Sequence, residues 1–201
     1  MNEQCPDKKS SQERLARFAR FLFEGAILKK TWRTGYAFLG QGRESVAEHT
    51  FGMMLIAMIL ARLCPEVDEL KLLKLCLLHD MPEARTGDAN AVHKRYIVRD
   101  EERAVLDMVR GLEGGQLIER LIHEFNDGKS LEARLARDAD QLDMILSLKT
   151  HSDTGSDDAV IWMPYVKRRL VTQEAKALAD AVLAEHWSCW WMSELLGECG
   201  G

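Results

Sequence analysis

The stretch KLLKLCLLHDMPEARTGD, residues 71–88, carries leucines on most faces of one helix, sets a histidine beside an aspartate, and then breaks on a proline. The apolar pattern predicts a helix from about Val67 to Asp80, stopped where Pro82 makes a helical conformation of Met81 costly. Pro82 suits the first turn of a new helix, so the chain is expected to turn and restart there. The rest reads the same way. There are 14 glycines and 4 prolines, with no series of alternating β-branched strands, and the fold class is predicted to be all-α.

Working outward, a first helix is expected over about Ser11 to Glu24, with Leu15, Phe18, Leu22 and Phe23 at helical spacing. SVAEHTFGMMLIAMILARL, residues 45–63, is apolar all round its middle, which predicts a helix central in the core. Further helices are expected over about Val98 to Arg110, Gln116 to Asn126 and Leu131 to Thr150, with Ser130 as a cap. HSDTGSDD (151–158) reads as an exposed loop, and Thr172 as the start of a late helix that runs toward the Trp187, Trp190 and Trp191 cluster.

Composition narrows the function. The 201 residues are 46% apolar and 29% charged, ordinary for a folded globular chain and long enough for one substantial core, so one domain is expected over 1–201. A formal charge of −5 without a long basic block argues against a nucleic-acid polymer as partner, while leaving room for a small phosphate. Five scattered cysteines without a CxxC pair suggest neither a disulfide framework nor a zinc knuckle, and fit a cytoplasmic protein. The polar N-terminal stretch and the shortness of the apolar run Phe51 to Ala61 predict no targeting segment and no membrane.

The chemistry lies in ionisable residues set in apolar surroundings: His49 after SVAE, His79 and Asp80 after KLCLL, and Asp140 in ARDADQLDMIL. Each is expensive to bury alone, and one divalent cation would satisfy all of them at once. Two imidazoles and two carboxylates form a mixed set suited to Mn, Co, Fe or Zn and tolerable for Mg. Asp143 shares a helix face with Asp140, so spacing leaves the choice between those two open. Lys94, in the loop after Asp88, adds a positive charge that a phosphate can use.

Taken together and in order, AEHT, LLHDMPEARTGD and DADQLD resemble the H…HD…D signature of the HD-domain metal-dependent phosphohydrolases, and within it the 5′-deoxynucleotidase subgroup. The resemblance runs from about Arg33 to Leu148 and implies a single HD-type helical bundle, with C-terminal helices over about 160–196 packing on it. It implies His49, His79, Asp80 and Asp140 as ligands of one divalent metal ion, choosing Asp140 over Asp143. Glu83 matches the family's catalytic acid/base, a role that its place in the first turn after Pro82 suits. Asp88 matches a second acid that contacts the sugar or assists the water.

Upstream, KTWRTGY matches the loop where the family carries an arginine and an aromatic, which makes Arg33 a phosphate ligand and Trp32 or Tyr36 a base contact. Trp32 precedes Arg33, the reverse of the bacterial order. The implied activity is hydrolysis of (deoxy)ribonucleoside 5′-monophosphates by a homodimer acting on a small nucleotide. A pyrophosphorylated-guanosine hydrolase is an alternative, but those relatives show an acid after the glutamate where this chain has Ala84. A non-catalytic nucleotide-binding or partner-binding scaffold is the reading from another class.

Overall fold

The computed structural model describes residues 8–196, and among these the chain is helical without a strand. The helices are α1 (Lys8–Ala26), α2 (Val46–Leu63), α3 (Glu69–Leu78), α4 (Glu83–Thr86), α5 (Glu101–Val109), α6 (Gly115–Asp127), α7 (Leu131–Asp153), α8 (Asp157–Lys167), α9 (Gln173–Ala184) and α10 (Cys189–Leu196). The sole ladder-like contact among the described residues is an isolated antiparallel bridge between Trp32 and Ser45.

Side-chain caps set several of the boundaries. Ser45 and Glu48 form a complete capping box on α2, while Ser130, Ser156 and Thr172 each accept a hydrogen bond from the backbone three residues on. The Ser156 cap corrects the reading of 151–158 as loop: α7 runs to Asp153 and α8 restarts at Asp157. The amphipathic helix expected from Val98 begins instead at Glu101, where Asp100 accepts from Arg103 N.

The centre of the fold is α7, which packs against α2, α3, α6, α8 and α9. Ala133, Ala136 and Ala139 are small enough to admit neighbours closely from several sides, and Leu135, Leu142, Ile145 and Leu148 are sealed. Even its charged Asp138 is buried and satisfied, accepting from Val171 N, Thr172 N and Thr172 Oγ1 at the start of α9.

The expectation that α2 is central in the core holds for one face only. Its inward face (Met53, Ile56, Ala57, Leu60) packs between α3 and α7, but Phe51, Leu55, Met58 and Ile59 form an exposed apolar stripe. By length and composition alone α2 could cross a membrane. Apolar composition therefore did not distinguish a central helix from a one-sided one.

A second, smaller core of Leu28, Val46, Met81, Val105, Met108 and Ile122 lies against the start of α2 and the α3–α4 turn. Cys64 and Cys76 are free and buried, while Cys189 is disulfide-bonded, which the cysteine spacing gave no sign of.

Candidate metal centre and active site

Three mutually packed helices bring the ionisable residues together: α2 supplies His49 from its first turn, the turn just after α3 supplies His79 and Asp80, and α7 supplies Asp140 and Asp143. Helix α3 stops at Leu78, and residues 79–82 form a turn in which Met81 N donates to Leu78 O and Glu83 N to Asp80 O. Leaving the helix lets adjacent side chains converge, and His79 Nε2 lies 3.0 Å from Asp80 Oδ2. His49 Nε2 lies 3.2 Å from Asp140 Oδ1 and 3.9 Å from Asp80 Oδ2. The two imidazole rings meet edge to face, 5.6 Å between centroids, and the Phe125 ring packs against His79 at 4.7 Å.

The ring nitrogens are sorted by their other contacts. His79 Nδ1 is 2.8 Å from Cys76 O, so it carries the proton and donates, which leaves the Nε2 lone pair toward the acids. His49 Nδ1 faces both Asp143 Oδ2 at 2.7 Å and Arg33 Nη1 at 2.9 Å. Arginine cannot accept a proton, so in the tautomer that frees Nε2 the Nδ1 proton goes to Asp143, and Arg33 Nη1 turns to Glu44 Oε2, 2.8 Å away.

This donor set fits a divalent cation. His49 is 1% exposed, and its Nε2 approaches Asp140 without hydrogen-bond alignment, so it is a buried nitrogen with no hydrogen-bond partner. Nitrogen or oxygen atoms of His49, His79 and Asp140 lie within 4.8 Å of one another. Burial opposes charge on the His49 ring, yet contact with Asp140 and Asp143 pushes its pKa up to about 10. Burial likewise opposes charge on Asp140, and His49 and Arg33 outweigh it, holding the carboxyl well below the usual range. The cluster demands positive charge at that point, from a proton or from a metal.

A second possible donor group, Glu44, His49 and Asp143, already has its cation. The Arg33 guanidinium lies 2.8 Å from Glu44 and 3.6 Å from Asp143. Asp143 reaches His49 because position 52 is glycine: a Cβ there would sit 2.1 Å from Asp143 Oδ1.

Beside the cluster opens a cavity of about 530 Å³, within the ordinary range for a small-molecule site. Arg33, His79, Asp80, Glu83, Asp88, Lys94 and Asp140 all line it. Glu83, 8% exposed, accepts from Arg99 Nη1 at 3.1 Å through Oε1, and its Oε2 is buried without a partner. Burial, reinforced by Asp80 and Asp88, pushes its pKa up to about 8. Asp88 Oδ2 accepts from both the backbone and the hydroxyl of Thr34, tying the 3₁₀ turn Thr34–Phe38 to the exit of α4.

Trp32 and Tyr36 are not among the lining residues. Trp32 is half exposed under the Arg43 guanidinium, 4.6 Å from its ring centre. Tyr36 is buried, its hydroxyl 2.6 Å from Ser147 Oγ. The aromatic and polar wall comes instead from Phe38, Phe125, Gln141, Trp162 and Arg169, which sequence reasoning missed along with Arg99. Apart from Gln141, which stands next to Asp140 in DADQLD, none of these lies in a motif, and α6, α7 and α8 must pack before their residues face the metal cluster.

The chain is 32% identical over 131 residues to the 5′-deoxynucleotidase HDDC2 of Dictyostelium discoideum, covering 59% of this chain and 69% of that one. It is 30% identical over 132 residues to the 5′-deoxynucleotidase HDDC2 of Homo sapiens, covering 63% and 64%. The chain thus spans about two thirds of the length of these relatives. A solved structure from Magnetospirillum magnetotacticum, described as a predicted metal-dependent phosphohydrolase, shares the fold with a TM-score of 0.65 at 22% identity, covering 85% of this chain and 93% of that one. The HD domain profile matches residues 26–182, well over half of the sequence, and the chain belongs to the HD domain family.

Proposed function

We propose that the protein is a metal-dependent phosphomonoesterase that hydrolyses 2′-deoxyribonucleoside 5′-monophosphates to nucleoside and phosphate. The observation that carries this reading is the convergence of His49 Nε2 and His79 Nε2 on the Asp80 and Asp140 carboxylates, beside a cavity that His79, Asp80, Asp140, Glu83 and Arg33 line. The relatives named 5′-deoxynucleotidase support the substrate class.

In this reading His49, His79, Asp80 and Asp140 hold the divalent ion, which when bound supplies Lewis acidity toward a phosphoryl oxygen and toward water. Arg33 and Lys94 face the cavity with the positive charge that a phosphate dianion needs. Glu83 takes a proton from the attacking water and returns one to the 5′ oxygen as the P–O bond breaks. Its place in the cavity wall and its raised pKa suit that exchange. Asp88 steadies the turn bearing Arg33 and serves the sugar. The enzyme acts as a homodimer, a reading that the uncovered apolar stripe of α2 supports.

Phosphate release from a panel of deoxyribonucleoside and ribonucleoside monophosphates, a pyrophosphorylated guanosine and a cyclic dinucleotide tests this. The assay uses metal-stripped protein with Mg, Mn, Co or Zn restored. Turnover of the 5′-deoxynucleotides is expected, and silence with every substrate and metal would reject the enzyme in favour of a binding scaffold.

A further inference from the structure

Glu83 does not stand alone in the cavity wall. Arg99, whose side chain is 12% exposed, reaches it from the segment just before α5, sixteen residues further along the chain. The guanidinium is shared three ways. Nη1 donates to Glu83 Oε1 at 3.1 Å and to Gly87 O at the end of α4, while Nη2 pairs with Glu101 Oε1 in the first turn of α5. It thus joins the start of α4, its end and α5 in one planar fork, a geometry that lysine cannot reproduce in full.

We propose that Arg99 is a positioning residue for Glu83, holding its carboxylate in the cavity wall through Oε1 in the orientation from which it exchanges protons with water and leaving group. Two features support this. A buried carboxylate on a single-turn helix has little else to fix its rotamer, since α4 comprises only Glu83–Thr86 and Pro82 offers no side-chain cap. Arg99 is itself held from two elements, Nη1 by Glu83 and Gly87 O on α4 and Nη2 by Glu101 on α5, so it is fixed enough to orient Glu83. The inference rests on the catalytic role proposed for Glu83.

The test compares Arg99→Met, Arg99→Lys and Arg99→Met in a Glu83→Gln background, with 2′-deoxyadenosine 5′-monophosphate as substrate. Misplacing an acid/base group should forfeit part of its usual contribution, so Arg99→Met is expected to lower kcat about 10- to 100-fold, with KM within about threefold. Arg99→Lys should recover part of the loss. In the Glu83→Gln background, Arg99→Met should change kcat less than about twofold, because there is no longer a proton-transferring carboxylate to position.

A rise in KM with kcat preserved would make Arg99 a substrate ligand and overturn the proposal, as would an equal kcat loss with and without Glu83. A crystal structure of Arg99→Met gives a readout independent of turnover: Glu83 should be displaced while His79 and Asp80 stay in place. An unmoved Glu83 overturns the positioning role. Absence of turnover in the metal-loaded wild-type protein would instead reject the proposed function, and the Glu83 position in that crystal would still decide what Arg99 does.

Discussion

His49 Nδ1 lies 2.7 Å from Asp143 Oδ2, on the side of the ring away from the Nε2 that approaches Asp140. One helix, α7, thus grips a single imidazole at both nitrogens with acids three residues apart. If Asp143 fixes the tautomer and Asp140 completes the cation site, Asp143→Ala should keep the fold and lower metal affinity about 10- to 100-fold. Metal titration of stripped protein checks this, and unchanged affinity would remove Asp143 from the account.

Gly52 offers an independent route to the same carboxylate. An alanine in the interior of a helix is ordinarily more stable than glycine by about 0.8–1 kcal/mol. Here the added Cβ would meet Asp143 Oδ1 at 2.1 Å, far inside contact distance. Gly52→Ala should therefore lower the melting temperature and weaken metal binding together, the opposite sign to the propensity rule. A Gly52→Ala protein more stable than wild type would show that the carboxylate moves aside without cost.

Metal binding itself should stabilise the fold, because ligands from α2, the α3–α4 turn and α7 become joined through one ion. A ligand present at about 100 times its Kd adds about 2.7 kcal/mol to the native state. Mn²⁺ added to stripped wild-type protein should raise its melting temperature, and a chelator should reverse the gain. His79→Ala and Asp140→Ala should lose the response. An undiminished shift in Asp140→Ala would return the choice to Asp143.

Glu83→Gln separates metal binding from turnover. The side chain keeps its shape but cannot take up a proton, so metal content should stay at the wild-type level while kcat falls about 10²- to 10⁴-fold. Metal analysis alongside phosphate release reads both quantities, and a fully active variant would refute the acid/base role.

Some of this was legible from the chain and some was not, for reasons of distance along it. The capping residues Ser45, Ser130 and Thr172 act within three positions, so sequence registers them directly. His79 and Asp80 are legible because Pro82, within three residues of both, marks the break that follows α3. The exposed face of α2 is not, since an apolar stripe reads alike whether a neighbouring helix covers it or leaves it open. Arg99 reads as an ordinary loop arginine until the chain folds back and brings Glu83 to it.

The clearest divergence between sequence and structure concerns the aromatic contact, and it can be tested. Trp32 stands beside Arg33 in sequence yet packs under Arg43 outside the cavity, whereas Trp162 on α8 lines it, its ring 3.6 Å from where a side chain at Gly35 would begin. A base stacked on an aromatic ring is worth about 1–3 kcal/mol, so Trp162→Ala should raise KM about tenfold or more with little change in kcat. Trp32→Ala should leave KM within about twofold, since the cost of removing an exposed ring falls on its contact with Arg43. Steady-state kinetics on both variants with a purine and a pyrimidine monophosphate decide between them. A KM effect confined to Trp32→Ala would mean that the 31–36 loop moves into the cavity when substrate binds.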